Sequence, residues 1–408
     1  MRHATDPPLK FAGYFIGISK TLDAVRQIGC YVPRTMKQFS VIFLLASAVA
    51  LAQTPRQNIL VSPEVQTDRR VTFRVHAPKA LEVGLFGDWM APGTLQNMAR
   101  DDQGVWSVTT APLDPGIAIY TITIDGITAP DPVNPRLKVR ARTSASLVDV
   151  PGNPPELWQL RDVPHGTIEI NWGKSKVIGD TRAHYVYTPP SYAENPSIRY
   201  PVLYLLHGNN DTAAGWTDVG KANFILDNLL AEKKSVPMII VMPWGHAVPY
   251  DGPQTNNTDT FERYLIEDVI PQIETKYRVV SGRDYRAIVG LSMGGGQALQ
   301  VGLTHLDLFS AVGAFSSAVP GNFENRFKTL LDNPAQTNKK LKLLWIGCGL
   351  QDSAFERNRQ LVDLLASRRI GFSFLATEGR HNYAIWRRYL AEVAPLLFRA
   401  DTTSDSKP

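Results

Sequence analysis

The residues best suited to chemistry in this chain are Ser292, Asp352 and His381. A serine hydroxyl is a poor nucleophile until an imidazole takes its proton, and a carboxylate must fix that imidazole's tautomer and stabilise the imidazolium. Ser292 stands in Gly290-Leu291-Ser292-Met293-Gly294, behind the apolar run Ala287, Ile288 and Val289 and ahead of Gln297, Ala298, Leu299 and Leu303 at helical spacing. The pattern predicts strand, sharp turn and helix. In that context G-x-S-x-G acts as a nucleophile elbow, with flanking glycines that let the strand and helix backbones approach closely. The pentapeptide alone also fits an ordinary tight turn.

Asp352 follows the apolar run Leu343–Ile346 and His381 follows Phe372–Leu375, so each lies in a loop beyond its own strand. The order Ser, Asp, His is that of α/β-hydrolases rather than of other serine-hydrolase folds. Rivals exist for both partners. Asp307, Asp332 and Asp363 compete with Asp352; His207 and His246 also fall at strand ends but precede the serine. An oxyanion needs two donors: the backbone N–H of Met293, and one from the loop Leu205 to Asn210, where Asn209 is favoured and Gly208 second. His207 is read as a brace for that loop. Trp216, Trp244, Tyr250 and Trp386 are candidates to hold a substrate ring by stacking, with packing the competing reading for each.

The elements that must position these residues follow from the hydrophobic pattern. Unbroken apolar runs at 202–206, 238–242, 287–289, 311–315, 343–346 and 372–375 alternate with helix-like stretches. Such runs suit strands buried on both faces of a mostly parallel sheet, whose reactive residues sit at the strand carboxyl ends. Thr167–Ile170 and His184–Tyr187 alternate as antiparallel strands do. Over 57–150, short apolar segments broken by Ala77-Pro78, Gly87-Asp88, Asp114-Pro115-Gly116 and Asp125-Gly126 predict a small all-β immunoglobulin-like sandwich. The proline-rich stretch 151–164 reads as a linker, 165–400 as the α/β-hydrolase domain, and 401–408 as a disordered tail.

The amino terminus reads differently. Met36 and Lys37 precede an apolar run from Phe39 to Leu51 that ends Ala50-Leu51-Ala52, the form of a secretory signal with cleavage after Ala52. Residues 1–35 are then an upstream mis-assigned start, and the protein is expected to be secreted or periplasmic, without a stable membrane anchor. The net charge of +5 resides mostly there: residues 1–52 hold six Lys/Arg and two acids, +4, which leaves +1. No basic run argues for nucleic acid. Cys30 falls in the leader and Cys348 in an apolar run, where it reads as core. No CxxC, HExxH or EF-hand spacing occurs, so no metal or cofactor is implied.

Two resemblances rest on longer sets of residues. Phe73–Pro78, Gly87-Asp88-Trp89, Asp101–Trp106, Leu113–Gly116 and Tyr120–Gly126 with Asp131-Pro132 resemble the early-set module at the N-termini of glycogen-branching enzymes and some bacterial esterases. Some relatives of that module bind glucans through exposed aromatics, for which Trp89 and Trp106 are the candidates; burial in the sandwich is the alternative. Leu205–Gly208, Gly215-Trp216, Gly220–Asn223, Asp227–Glu232, Gly290–Gln297, Gly302–Thr304, Gly349–Ser353 and Gly379–His381 with Trp386 are similar to the esterase D-like enzymes. Within that group they come nearest to bacterial feruloyl esterases of xylan-degrading systems and related acetyl xylan esterases. The resemblance implies an α/β-hydrolase fold, a triad of Ser292, Asp352 and His381, and a polysaccharide or oligosaccharide ester as substrate. Glu378-Gly379-Arg380-His381-Asn382 departs from the Gly-Gly-His-Asp often found there, which bears on the acyl group. Three other readings are a siderophore esterase of the enterochelin type, a transferase related to the mycolyl-transferring enzymes and, from another class, a carbohydrate-binding protein with an inactive esterase domain.

Overall fold

The computed structural model describes residues 60–249 and 255–399. The leader expected at 36–52, the stretch before it, Tyr250 and the tail at 401–408 lie outside the described residues.

Strands between Glu64 and Val150 form two antiparallel sheets. One, with Val71–His76 and Val105–Thr109 at its centre, covers a core of Val71, Phe73, Val75, Leu85, Tyr120 and Ile122. The other is built around Gly116–Ile124 and Ser144–Val150 and is apolar on both faces. Side chains alternate along a strand. Tyr120, Ile122, Val148 and Val150 point into the sandwich core, whereas Ile117, Ile119, Ala145 and Leu147 pack into a second cluster shared with the following domain.

The second domain is an eight-stranded sheet: β1 Thr167–Lys174, β2 Thr181–Thr188, β3 Val202–Leu206, β4 Ile239–Met242, β5 Arg286–Leu291, β6 Ala311–Phe315, β7 Leu343–Gly349 and β8 Ser373–Thr377. Its order is β1-β2-β4-β3-β5-β6-β7-β8. β1 and β2 pair antiparallel, as do β2 and β4; every later pair is parallel. The sheet is therefore mixed, with antiparallel strands at one edge. Val202, Tyr204, Leu206, Ile239, Val241 and Ile288 face one layer, where helix Met293–Thr304 and the helical run Asn257–Lys276 lie. Leu203, Leu205, Ile240, Met242, Val289 and Leu291 face the other, formed by helices Ala222–Ala231 and Tyr383–Val393. Period-two burial on both faces is what the unbroken apolar runs encode.

The segment 151–164 is fastened down. Gln159 Oε1 accepts from the N–H of Gly152 and of Glu156 at 3.0 Å each, and Asn228 Nδ2 donates to Leu157 O at 2.7 Å and Gln159 O at 3.0 Å. Arg387, on the last long helix and 3% exposed, donates to Ile117 O at 2.8 Å and Val219 O at 3.1 Å.

Candidate active site

Ser292 sits between β5 and helix Met293–Thr304 with φ 52° and ψ −117°, a conformation that costs an L-residue strain and that the surroundings must enforce. Its N–H donates to Phe315 O at 2.8 Å, and its carbonyl accepts from Gly296 at 3.1 Å and Ala318 at 2.9 Å. A Cβ at Gly290 would lie 2.2 Å from Gly294 O, and one at Gly294 2.4 Å from His207 O. The flanking glycines are thus required by contact, not by their own φ.

Asp352 lies beyond β7, 6% exposed, with Oδ1 accepting the N–H of Ala354 at 2.8 Å. Burial pushes its carboxyl up, but His381 and the Ala354 N–H outweigh that and hold it below the ordinary carboxylate range. His381 lies beyond β8. Its Nδ1 is 2.9 Å from each Asp352 oxygen and its Nε2 is 2.9 Å from Ser292 Oγ. An ionised carboxylate can only accept, so Nδ1 carries the proton and Nε2 is left to accept from the serine. Asn382 caps helix Tyr383–Val393 through Ala384 N–H at 3.1 Å and donates to Asp88 O at 3.0 Å, which fixes the loop that carries His381.

The loop after β3 lies against the elbow: a Cβ at Gly208 would meet Leu291 Cδ1 at 2.7 Å and Ser292 Cβ at 3.2 Å. His207 is 1% exposed. Its Nε2 accepts from Gly245 N–H at 2.8 Å, so its Nδ1–H donates to Gly208 O at 2.8 Å; burial lowers its pKa and keeps it neutral. It braces the loops after β3 and β4.

A pocket of about 240 Å³ opens on Ser292 and His381. Gly208, Asn209, Asn210 and Trp386 line it, and so do Asp88, Ile119, Lys138 and Arg140 of the sandwich. A larger cleft of about 540 Å³ shares Asp88 and Asn382 with this pocket and carries Trp89 and Trp158.

The aromatic candidates separate. Trp216 corrects the expectation of a substrate platform: it is 0% exposed, donates to Leu206 O at 3.0 Å and is wedged edge-on against Phe315 and Tyr383. It faces inward because its short helix, Gly215–Asp218, is itself buried at Gly215, Trp216 and Thr217. Trp106 is likewise buried at 8%, with its indole N–H on Ala77 O. Trp244 is half-buried beside His207 and His246 and is not part of the pocket wall. Trp386 lines the pocket at 6% exposure, and Trp89, half-buried on Phe73, borders the cleft. Cys348 is fully buried, its thiol pushed up to about 12, first by burial. Among the described residues no group of three or more His, Cys, Asp or Glu could hold a metal ion.

Sequence reasoning missed the sandwich residues of the pocket, Asp88, Ile119, Lys138 and Arg140. No spacing links them to Ser292, and only the packing of the two-faced sheet brings them there.

Residues 175–397 match the Esterase family model. The chain belongs to the esterase family. This family member is 31% identical over 351 residues to an endo-1,4-beta-xylanase/feruloyl esterase of Xylanibacter ruminicola, an alignment that covers 83% of the chain and 46% of that protein. It spans about half the length of the curated relatives it matches first. A ferulic acid esterase of Anaeromyces mucronatus, solved in complex with ferulic acid, is 26% identical with a TM-score of 0.53, covering 59% of this chain and 93% of its own. The enterobactin esterase of Shigella flexneri shares the fold over 81% of this chain and 92% of its own, with a TM-score of 0.62 at 16% identity. No helix of the described residues is long and apolar enough to cross a membrane.

Proposed function

We propose that this protein is an exported serine carboxylesterase that releases acyl groups, feruloyl foremost, from plant cell-wall polysaccharide or its oligosaccharides. The observation that carries the reading is His381 held 2.9 Å from Ser292 Oγ on one nitrogen and 2.9 Å from the Asp352 carboxylate on the other. Ser292 Oγ attacks the ester carbonyl while His381 Nε2 takes its proton, and Asp352 stabilises the imidazolium. The oxyanion accepts from the N–H of Met293 and of Asn209, with Gly208 as second candidate. His381 then protonates the departing sugar hydroxyl, and water, activated by the same imidazole, releases the acid. The apolar stretch Phe39 to Leu51 supports export. The cleft with Trp89 and Trp158 beside the pocket gives room for sugar rings on aromatic faces.

The test is acid release from methyl ferulate, an acetylated xylo-oligosaccharide and enterobactin side by side, with Ser292→Ala as control. Ferulate release abolished by the substitution is expected. The enterobactin arm matters because the fold likeness to the enterobactin esterase extends over more of the chain than that to the ferulic acid esterase. Activity on that substrate alone would move the reading to siderophores; inertness toward all three would revive a binding protein.

A further inference from the structure

Asp211 lies two residues beyond Asn209, 6% exposed. Its Oδ1 accepts from Lys138 Nζ at 2.7 Å and from Thr212 N–H at 2.8 Å; its Oδ2 accepts from Tyr383 OH at 2.7 Å. Lys138 belongs to the sandwich strand Leu137–Val139 and Tyr383 opens the helix that follows His381. One buried carboxylate therefore joins the sandwich, the loop after β3 and the loop of the catalytic histidine. There is no slack around it: a Cβ at Gly215 would lie 2.5 Å from Tyr383 Oη and 2.6 Å from Asp211 Oδ1.

The loop itself depends on such an anchor. Asn210 has φ 57°, in the left-handed region, and Asp211 N–H closes the turn onto Gly208 O at 3.3 Å. The sandwich holds the turn a second time, through Ala141 N–H on Asn210 O at 3.4 Å, and holds the opposite rim through Asn382 on Asp88 O. A buried carboxylate deprived of its cation is a strongly unfavourable state, relieved by admitting water or by swinging outward, and either movement would carry Gly208–Asn210 away from Ser292.

We propose that Lys138 is a positioning residue for the acyl-transfer step: acting through Asp211, it holds the N–H groups of Gly208 and Asn209 where the oxyanion forms. The proposal rests on the esterase reading above. Lys138 lines the pocket, but its ammonium is engaged by the carboxylate and stacked over the Tyr383 ring at 4.9 Å, so its effect falls on turnover rather than on binding. Donors to an oxyanion act in the transition state, which places their loss in kcat.

The experiment uses the full chain with 4-nitrophenyl acetate, an ester too small to need a polysaccharide site, and a 4-nitrophenyl alkylphosphonate that traps Ser292 through an oxyanion of the same geometry. Lys138→Met is expected to lower kcat at least tenfold with KM within twofold, and to slow phosphonylation by a similar factor. The double variant Lys138→Met/Asp211→Asn removes the orphaned charge and should regain most of the thermal stability while remaining at least tenfold slow. Wild-type kcat in either folded variant, or a change in KM alone, overturns the inference while leaving the esterase reading intact. A wild-type protein inert to both ester and phosphonate overturns the esterase reading, and this inference with it.

Discussion

The indole of Trp386 stands perpendicular to the imidazole of His381 with ring centroids 5.0 Å apart, and its own N–H donates to Ser316 Oγ at 3.0 Å. The His381 ring is thus walled by an aromatic whose orientation is itself fixed. Trp386→Leu keeps the site apolar but removes both the wall and its tether. We expect kcat on a small ester to fall about tenfold, in keeping with the sensitivity of proton transfer to geometry. A burst experiment that separates acylation from KM checks it; an unchanged acylation rate would reject the role.

Asp352→Asn leaves the shape of the site but turns an acceptor-only group into one that also donates, which favours the wrong tautomer of His381. The expected loss is about 10³–10⁴-fold in kcat with the fold retained. Steady-state kinetics and circular dichroism on the same sample check both halves.

For Trp216 the expectation is the reverse. Trp216→Ala empties a fully enclosed site between Phe315 and Tyr383, at about 3–5 kcal/mol of stability. KM for methyl ferulate should hold in the material that remains folded. Denaturant melts and kinetics below the midpoint separate this from a substrate platform, for which KM would rise in a stable protein.

His184 carries a pH prediction. It is buried at 4% exposure in β2, and burial, with Lys276 adding to it, lowers its pKa to about 4. Between that value and the ordinary 6.5 the unfolded chain binds the proton more readily, so stability present above pH 6.5 is lost as pH falls toward 4. His184→Gln should narrow the gap in Tm between pH 7.5 and pH 4.5 relative to wild type. Melting curves at the two pH values measure it; an unchanged gap would count against the assignment.

Much of this architecture is legible in the chain because strands buried on both faces leave unbroken apolar runs, and the ends of such runs mark where reactive residues can stand. Ser292, Asp352 and His381 each follow a run of that kind, and they converge. Trp216 follows one too, yet points away from the pocket: a position near a strand end gives no direction to a side chain borne on the next short helix. Lys138 leaves no trace at all. Its meaning comes from a carboxylate 73 residues further on, reached only after the sandwich has docked.

The sheet with two apolar faces bears on the order of synthesis. Ile117 receives its hydrogen bond from Arg387, 270 residues downstream, and Ile119 and Leu147 share a buried cluster with residues of the same helix. The sandwich leaves the ribosome with one side uncovered and stays so until the helix Tyr383–Val393 has emerged. Exposed apolar surface of that kind is prone to association until it is covered, and contacts so distant in sequence are slow to close. Completing the cover of the sandwich therefore waits on making the helix Tyr383–Val393.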